Sequence, residues 1–306
     1  MVFERQLWRK RGLIFCPDGL HATMRSHASV PFAEPIGGGL FRVYFSSRDE
    51  RQRSRTFSLV LDIRVPDRIV EVRGDPILDL GELGGFDDSG AMLTWIAPIT
   101  ADASLAYYVG WNLRVTVPFQ NALGVARMTR DGVVERFRGP TMDRTLDEPH
   151  FVASACILRD GGRFRCWYLS CVGWEVTPAG PRHRYHIKYA ESADGLHWNR
   201  DGRVAIDFAQ PDEFAISRPS VTFDGRRYRM WFSCRGAQYR IGYAESQDGT
   251  VWHRDDSAVG LVPGGGQEWD GIATAYPHVF AHEDSLFMLY NGNDYGRTGF
   301  GLAELQ

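Results

Sequence analysis

The sequence predicts an all-β chain folded as a five-bladed β-propeller with four-stranded blades, and three observations predict it. The first is a long internal repeat. His186-Ile-Lys-Tyr-Ala-Glu-Ser-Ala-Asp-Gly-Leu-His-Trp198 recurs as Tyr239-Arg-Ile-Gly-Tyr-Ala-Glu-Ser-Gln-Asp-Gly-Thr-Val-Trp252, with a short echo in Gly299-Phe-Gly-Leu-Ala-Glu-Leu305. The second is a series of aromatic, branched segments recurring every 58 to 67 residues, roughly the length of a four-stranded unit. The third is the tight-turn chemistry between them, Gly37-Gly-Gly39, Asp160-Gly-Gly162, Asp194-Gly195, Asp224-Gly225 and Asp248-Gly249. Short strands repeated in this way close radially and leave a central funnel.

Each repeat divides into strands. First strands lie at Ala28–Phe32, Met92–Ile96, Val152–Ile157, Ile216–Phe223 and Ala275–Phe280. Second strands follow at Leu40–Phe45, Leu105–Trp111, Arg163–Tyr168, Arg227–Phe232 and Leu286–Tyr290, rich in the residues that favour a pleated, half-buried surface. Third strands are Phe57–Leu61, Ala122–Ala126, Ile187–Ala190, Ile241–Ala244 and Phe300–Ala303. Fourth strands fall at Ile69–Val72, Val133–Arg136, Trp198 and Trp252, and the last repeat lacks one. The segment Gln6–Ile14 is expected to supply it, so that the N-terminus closes the last blade and no sheet edge stays open. No linker or low-complexity tract interrupts residues 1–306, which read as one domain.

Composition narrows the partners. The net charge is −3 with no basic run or acidic tail, which argues against nucleic acid and against an anionic membrane. No apolar stretch approaches the roughly 18 residues of a membrane helix, and the N-terminus has no signal-like apolar core. Five scattered cysteines without a CxxC pair read as reduced thiols in a cytoplasmic protein.

With antiparallel strands, the Asp-Gly turns share one face of the ring. The opposite face gathers residues without a turn role. Entering the second blade are Asp87 and Asp88; entering the third, Asp147, Glu148 and His150; entering the fourth, Asp212, Glu213 and Arg218; entering the fifth, Glu268, Asp270, Tyr276 and His278. Loops leaving second strands add Arg48, Trp111, Asn112, Trp174, Arg235, Asn291 and Asp294. Carboxylates converging from several blades on one funnel are the pattern that acid–base chemistry needs. Each one singly is also an ordinary turn cap or ion-pair partner.

At the Tyr-Ala-Glu-Ser-x-Asp-Gly-x-x-Trp turns and the five first strands, the chain resembles the five-bladed β-propeller carbohydrate-active enzymes. These include the arabinanase and β-xylosidase type, the invertase type, the mannoside phosphorylases, and glycosidase-like bacterial members. The resemblance implies action at an anomeric centre of a small saccharide or phosphosugar, with one carboxyl protonated and another ionised. By position, Glu213 would be the general acid and Asp147 or Glu148 the pKa tuner, with Asp87 and Asp88 in the blade between.

The first blade departs from that pattern. Leu20-His-Ala-Thr-Met-Arg-Ser-His-Ala-Ser-Val30 has no carboxylate where the base belongs; Asp18 is nearest, and the segment offers His21, Arg25 and His27 instead. Either Asp18, Asp87 or Asp88 takes the base role, or a phosphate held by Arg25, His27, Arg218 or His278 replaces it. Glycoside hydrolysis therefore leads, transfer to or from phosphate follows, and a non-catalytic propeller binding a glycan or glycolipid head group is the rival. A pathway scaffold is a further reading without specific support. No cofactor is expected. His21 and His27 do not form a zinc pair, and a channel calcium of the kind some relatives hold would fall at His278.

Overall fold

The computed structural model describes residues 3–17, 19, 21–130 and 132–306, which are β-strand almost throughout. Strand β1 (Trp8–Phe15) precedes four groups of four: β2 (Ser26–Gly37), β3 (Leu40–Arg48), β4 (Ser54–Asp62) and β5 (Ile69–Val72); β6 (Gly90–Pro98), β7 (Ala103–Leu113), β8 (Phe119–Thr129) and β9 (Val134–Arg136); β10 (Val152–Asp160), β11 (Arg163–Thr177), β12 (Gly180–Ser192) and β13 (Val204–Ile206); β14 (Ala215–Phe223), β15 (Tyr228–Arg235), β16 (Tyr239–Ser246) and β17 (His253–Arg254). A last group holds β18 (Ala275–His282), β19 (Ser285–Asn291) and β20 (Phe300–Leu305). Within each group, consecutive strands pair antiparallel.

β1 pairs antiparallel with β20, so the two ends of the chain share one sheet. Single parallel bridges, Ser54 with Gly90 and Tyr185 with Ala215, join the first group to the second and the third to the fourth. The inner strands also touch in a cycle: β2 with β6, β6 with β10, β10 with β14, β14 with β18, and β18 with β2. Side-chain oxygens stitch these strands together. Thr94 Oγ1 accepts from Ala155 N–H, Ser154 Oγ from Arg218 N–H, and Ser220 Oγ from Val279 N–H.

The repeated turns seal the seams between groups. Tyr107 of β7 donates to the Gly195 carbonyl at 2.9 Å, and Trp167 of β11 donates to that of Gly249, also at 2.9 Å. Trp198 and Trp252 pack edge-on against Tyr107 and Trp167. This corrects the third group's expected outer strand: Trp198 is a seam plug, and the strand proper is β13, six residues on. Asp194 and Asp248 each accept backbone N–H groups from the residues after them, which holds both carboxyls well below the usual range. They are turn residues. No helix among the described residues is long and apolar enough to cross a membrane.

Candidate functional site

The same irregularity breaks all five inner strands. Register shifts at Ser29/Phe32, Leu93/Trp95, Ala153/Ala155, Ser217/Ser220 and Ala275/His278 mark bulges at matching positions. Three of them are X-Pro steps whose first residue takes a left-handed backbone, Val30 at φ 56°, Arg218 at 51° and Tyr276 at 53°. That conformation is costly for non-glycine residues, above all for β-branched Val30, and strain of this kind concentrates where side chains must be aimed. The bulges turn Val30, Thr94, Ser154, Arg218 and Tyr276 into a central cavity of about 310 Å³.

The cavity wall is aromatic, phenolic and cationic. Trp111, Phe119, Phe151 and Leu169 form one side, and Tyr185, Tyr239, Tyr276 and Tyr295 another. Arg48 and Arg218 bring positive charge, and His183 a ring; among the described residues no carboxylate lines the cavity. Arg218 is 1% exposed, and its guanidinium donates to the carbonyls of Thr94 at 2.5 Å and Pro31 at 2.9 Å, with no carboxylate partner among the described residues. Burial brings it down to about 10, so it remains a cation at neutral pH. Burial, then Arg235 and Arg182, brings His183 down to about 4, leaving it neutral. Burial pushes the phenols of Tyr185, Tyr239 and Tyr276 up, and they stay protonated. Tyr185 and Tyr239 hydrogen-bond to each other at 3.0 Å, with Arg235 over the Tyr239 ring.

Several buried polar atoms of the wall meet no protein partner: Arg218 Nε, Trp111 Nε1, His183 Nε2, Ser217 Oγ and Asn121 Oδ1. All but the last are groups able to donate. A wall with unmatched donors and two arginines suits a ligand rich in acceptor oxygens.

The carboxylates expected to do the chemistry are elsewhere, and the reason repeats from group to group. Asp87 accepts from Tyr108 OH and Arg136 Nη1, both at 3.0 Å. Glu148 is ringed by Tyr168, Ser170, Lys188 and Arg200. Glu213 makes a two-pronged pair with Arg254 at 2.6 and 2.9 Å and accepts from Ala209 N–H. Asp270 meets Lys10 at 2.6 Å and Tyr290 at 2.9 Å. In four groups, then, a buried carboxylate entering the inner strand is tied to a cation further out: Arg136 of β9, Lys188 of β12 with Arg200 of the loop after it, Arg254 of β17, and Lys10 of β1. The first group uses an apolar substitute, Met24 packed in the cluster of Phe45 and Phe57. Burial alone would raise the Glu148 carboxyl, but hydrogen bonding and charge from Lys188, with Arg200, hold it below the usual range, opposite to what a general acid needs. Asp88 accepts from Ser89, Asn112 and Gly84 N–H; Asp147 is exposed. None of the five proposed catalytic carboxylates lines the cavity.

Of the expected binding residues, Trp111, Arg218 and Tyr276 do line it. Arg235 stands at the rim, donating to Tyr295 OH. Trp174 is one layer back, against Phe119 and Phe151. Asn112 is occupied by Asp88 and the Gly85 carbonyl. Asn291 is a structural cross-link, donating to the carbonyls of Ala28 and Gly299 and accepting from Val30 N–H. His21 and Asp294 are exposed, and Arg25 pairs with Glu50. His27 is buried beside Ser26 and brought to about 4 by burial, then by Arg48 and Arg297. Asp18 lies outside the described residues. The residues that sequence reasoning missed are Phe119, Asn121, Phe151, His183, Tyr185, Tyr239 and Tyr295. The one available signal was the matched position of Tyr185 and Tyr239 in the two long repeats.

Neither candidate metal position fits an ion. His278 is buried against the rings of Phe32, Trp95 and Phe280, with Nε2 at 3.3 Å from the Ala33 carbonyl. Calcium wants six or more oxygens, and Arg218 is close enough to depress the imidazole further. Glu213, Cys234 and Asp256 cluster within 4.8 Å, but the Arg254 guanidinium already bonds both carboxylates there. A wider, open groove of about 730 Å³ runs past this cluster, and its buried charges satisfy one another.

No protein-family model matches the chain. The uncharacterized protein Rv1502 of Mycobacterium tuberculosis is 43% identical over 303 residues, which cover 98% of this chain and 99% of the relative. The chain belongs to the family of Rv1502. Solved structures that share its fold include a glycosyl hydrolase from Bacteroides ovatus, at TM-score 0.74 and 14% identity over 99% of this chain and 94% of that one. Another represents the GH130 family of mannoside phosphorylases, which contains glycoside hydrolases that target β-1,2 mannosidic linkages in Candida mannan; it aligns at TM-score 0.73 and 13% identity, again over 99% and 94%. The resemblance to propeller carbohydrate-active enzymes thus extends along this whole member of the Rv1502 family, at the level of fold.

Proposed function

We propose that this member of the Rv1502 family is a single five-bladed β-propeller whose N-terminal strand completes the last blade, and that its cavity takes a phosphate-bearing saccharide. Support for the ring comes from the cyclic contact of the five inner strands and the β1–β20 pairing. The observation that carries the functional reading is the cavity wall: two arginines, four tyrosines, unmatched donors and no carboxylate among the described residues.

Hydrolysis through paired carboxyls needs one on each side of the scissile bond. Transfer from a glycosyl phosphate does not. An acceptor hydroxyl attacks the anomeric carbon, the C–O bond to phosphate breaks, and the phosphate leaves with that electron pair. The same phosphate can take the hydroxyl proton. Arg48 and Arg218 would stabilise the departing charge, and Trp111 and Phe119 would face the sugar ring. Read backwards, the step is phosphorolysis. A second reading, recognition without turnover, is favoured by Arg218, whose guanidinium already donates to two carbonyls and is fixed in place.

Calorimetric titration with glycosyl 1-phosphates, the parent sugars and inorganic phosphate tests the proposal. Phosphorylated sugars should bind at least about tenfold more tightly than the parent sugars, and Arg48→Met should remove most of that preference. Equal affinity for neutral sugars, or a preference untouched by Arg48→Met, would refute it. Phosphate release in the presence of an acceptor separates transfer from recognition.

A further inference from the structure

Three loops project beyond the cavity wall on the side where it opens, and their tips are almost wholly in solvent. Val115 at the β7–β8 tip is 102% exposed, Leu146 before β10 is 101%, and Val176 at the β11–β12 tip is 95%, with Leu113 at 68%. The loops rise from one aromatic base: Phe119 meets Trp111, Phe151 and Trp174 at ring distances of 4.8, 5.4 and 5.4 Å. That base also forms part of the cavity wall.

The tips are uncharged over short runs, Val115-Thr-Val-Pro118 and Val176-Thr-Pro-Ala-Gly-Pro181. Behind the first tip Arg114 makes no ion pair among the described residues, whereas Arg182 pairs with Glu175 at 2.8 Å behind Val176, and Arg144 lies 3.8 Å from Asp143 beside Leu146, whose other neighbour Asp147 is exposed. Across the mouth, Arg48, Arg51, Arg235 and Arg297 make no ion pair among the described residues. Convex aliphatic tips, with unpaired exposed Arg114 behind one of them and Arg51 and Arg297 across the mouth, match a lipid interface, where apolar tips enter the acyl boundary and arginines meet headgroup phosphates. A flat protein partner would leave such tips largely unburied.

We infer that this face docks on an anionic lipid bilayer, with the cavity mouth turned to the headgroups. The ligand would then be a lipid-linked saccharide that carries a phosphate, a step that rests on the proposed reading of the cavity. The sequence argued against an anionic membrane because it lacks a basic run. The fold supplies the positive surface differently, by bringing single arginines from separate loops to one side.

Cosedimentation of the full chain with vesicles of phosphatidylglycerol and phosphatidylcholine, and of phosphatidylcholine alone, tests the docking. Binding is expected to the anionic vesicles, to fall at high salt, and to drop about tenfold or more in the triple variant V115S/L146S/V176S. R114Q should weaken it further at low salt. These sites are exposed, so the fold should hold, and titration of the triple variant with a soluble glycosyl 1-phosphate should match wild type. Failure to sediment with anionic vesicles, or equal sedimentation of wild type and triple variant, overturns the inference. So does a triple variant that changes only self-association in the ultracentrifuge, which would make the face a contact between copies. Vesicle binding that persists while soluble glycosyl phosphates fail to bind wild type would overturn the cavity reading and leave the docking surface intact.

Discussion

Replacing Glu213 by Gln separates a catalytic role from a structural one, because the two predict opposite results. The Glu213 side chain is 6% exposed and Arg254 is 13% exposed, so their two-pronged contact is nearly dry. Removing one member of a buried pair costs about 3–5 kcal/mol, chiefly because the other charge is left uncompensated. Here Asp256 still holds the Arg254 guanidinium at 2.6 Å, which places the cost near the low end, about 3 kcal/mol. For a domain of this size that is a fall in melting temperature of roughly 5 °C. Scanning calorimetry and two-state urea unfolding read it directly. Adding Arg254→Met should recover much of the loss, since it removes the stranded charge along with its former partner. Binding of glycosyl phosphates, measured well below the melting point, should not change. An unaltered melting temperature with ligand handling abolished would refute this reasoning and return Glu213 to the role of general acid.

Other consequences follow from the same structure. Glu148→Gln should destabilise more than Glu213→Gln, because it strands both Lys188 and Arg200; comparing the two urea midpoints checks this. Deleting residues 1–14 should leave the chain aggregated or without a cooperative melt, since it exposes the β20 edge and strands Asp270 without Lys10; a truncation that melts like wild type contradicts it. His278, brought to about 3 by burial and then Arg218, binds its proton less readily folded than unfolded. Its contribution is therefore complete above the unfolded value near 6.5 and is lost as pH falls toward 3, amounting to about 3 kcal/mol between pH 6.5 and 4. His278→Phe should flatten the fall in stability across that window, which pH-dependent urea unfolding would show.

The strands and turns were legible because their signals are local. Alternating aromatic and branched residues and Asp-Gly steps report on their own backbone, and Asp194 and Asp248 do what that chemistry dictates. The site was much less legible. Carboxylates entering successive strands looked like convergence on a funnel, yet Asp87, Glu148 and Asp270 stand 21, 20 and 20 residues before the tyrosines that bind them. A feature spaced so regularly through a repeat belongs to the repeat and holds it together. The cavity is built where the repeats differ, at Val30, Thr94, Ser154, Arg218 and Tyr276. Their inward aim depends on bulges that no single strand announces. His183, Tyr185 and Tyr239 were hidden for a related reason: at the start of a third strand, a side chain facing a shared cavity looks the same as one facing the core.

The most direct test of the account is a crystal of the wild-type protein soaked with a glycosyl 1-phosphate. Density is expected in the central cavity, with phosphate oxygens against Arg48 and Arg218 and the sugar ring against Trp111 and Phe119. A sugar found instead between Glu213 and a second carboxylate, with the central cavity empty, would contradict it.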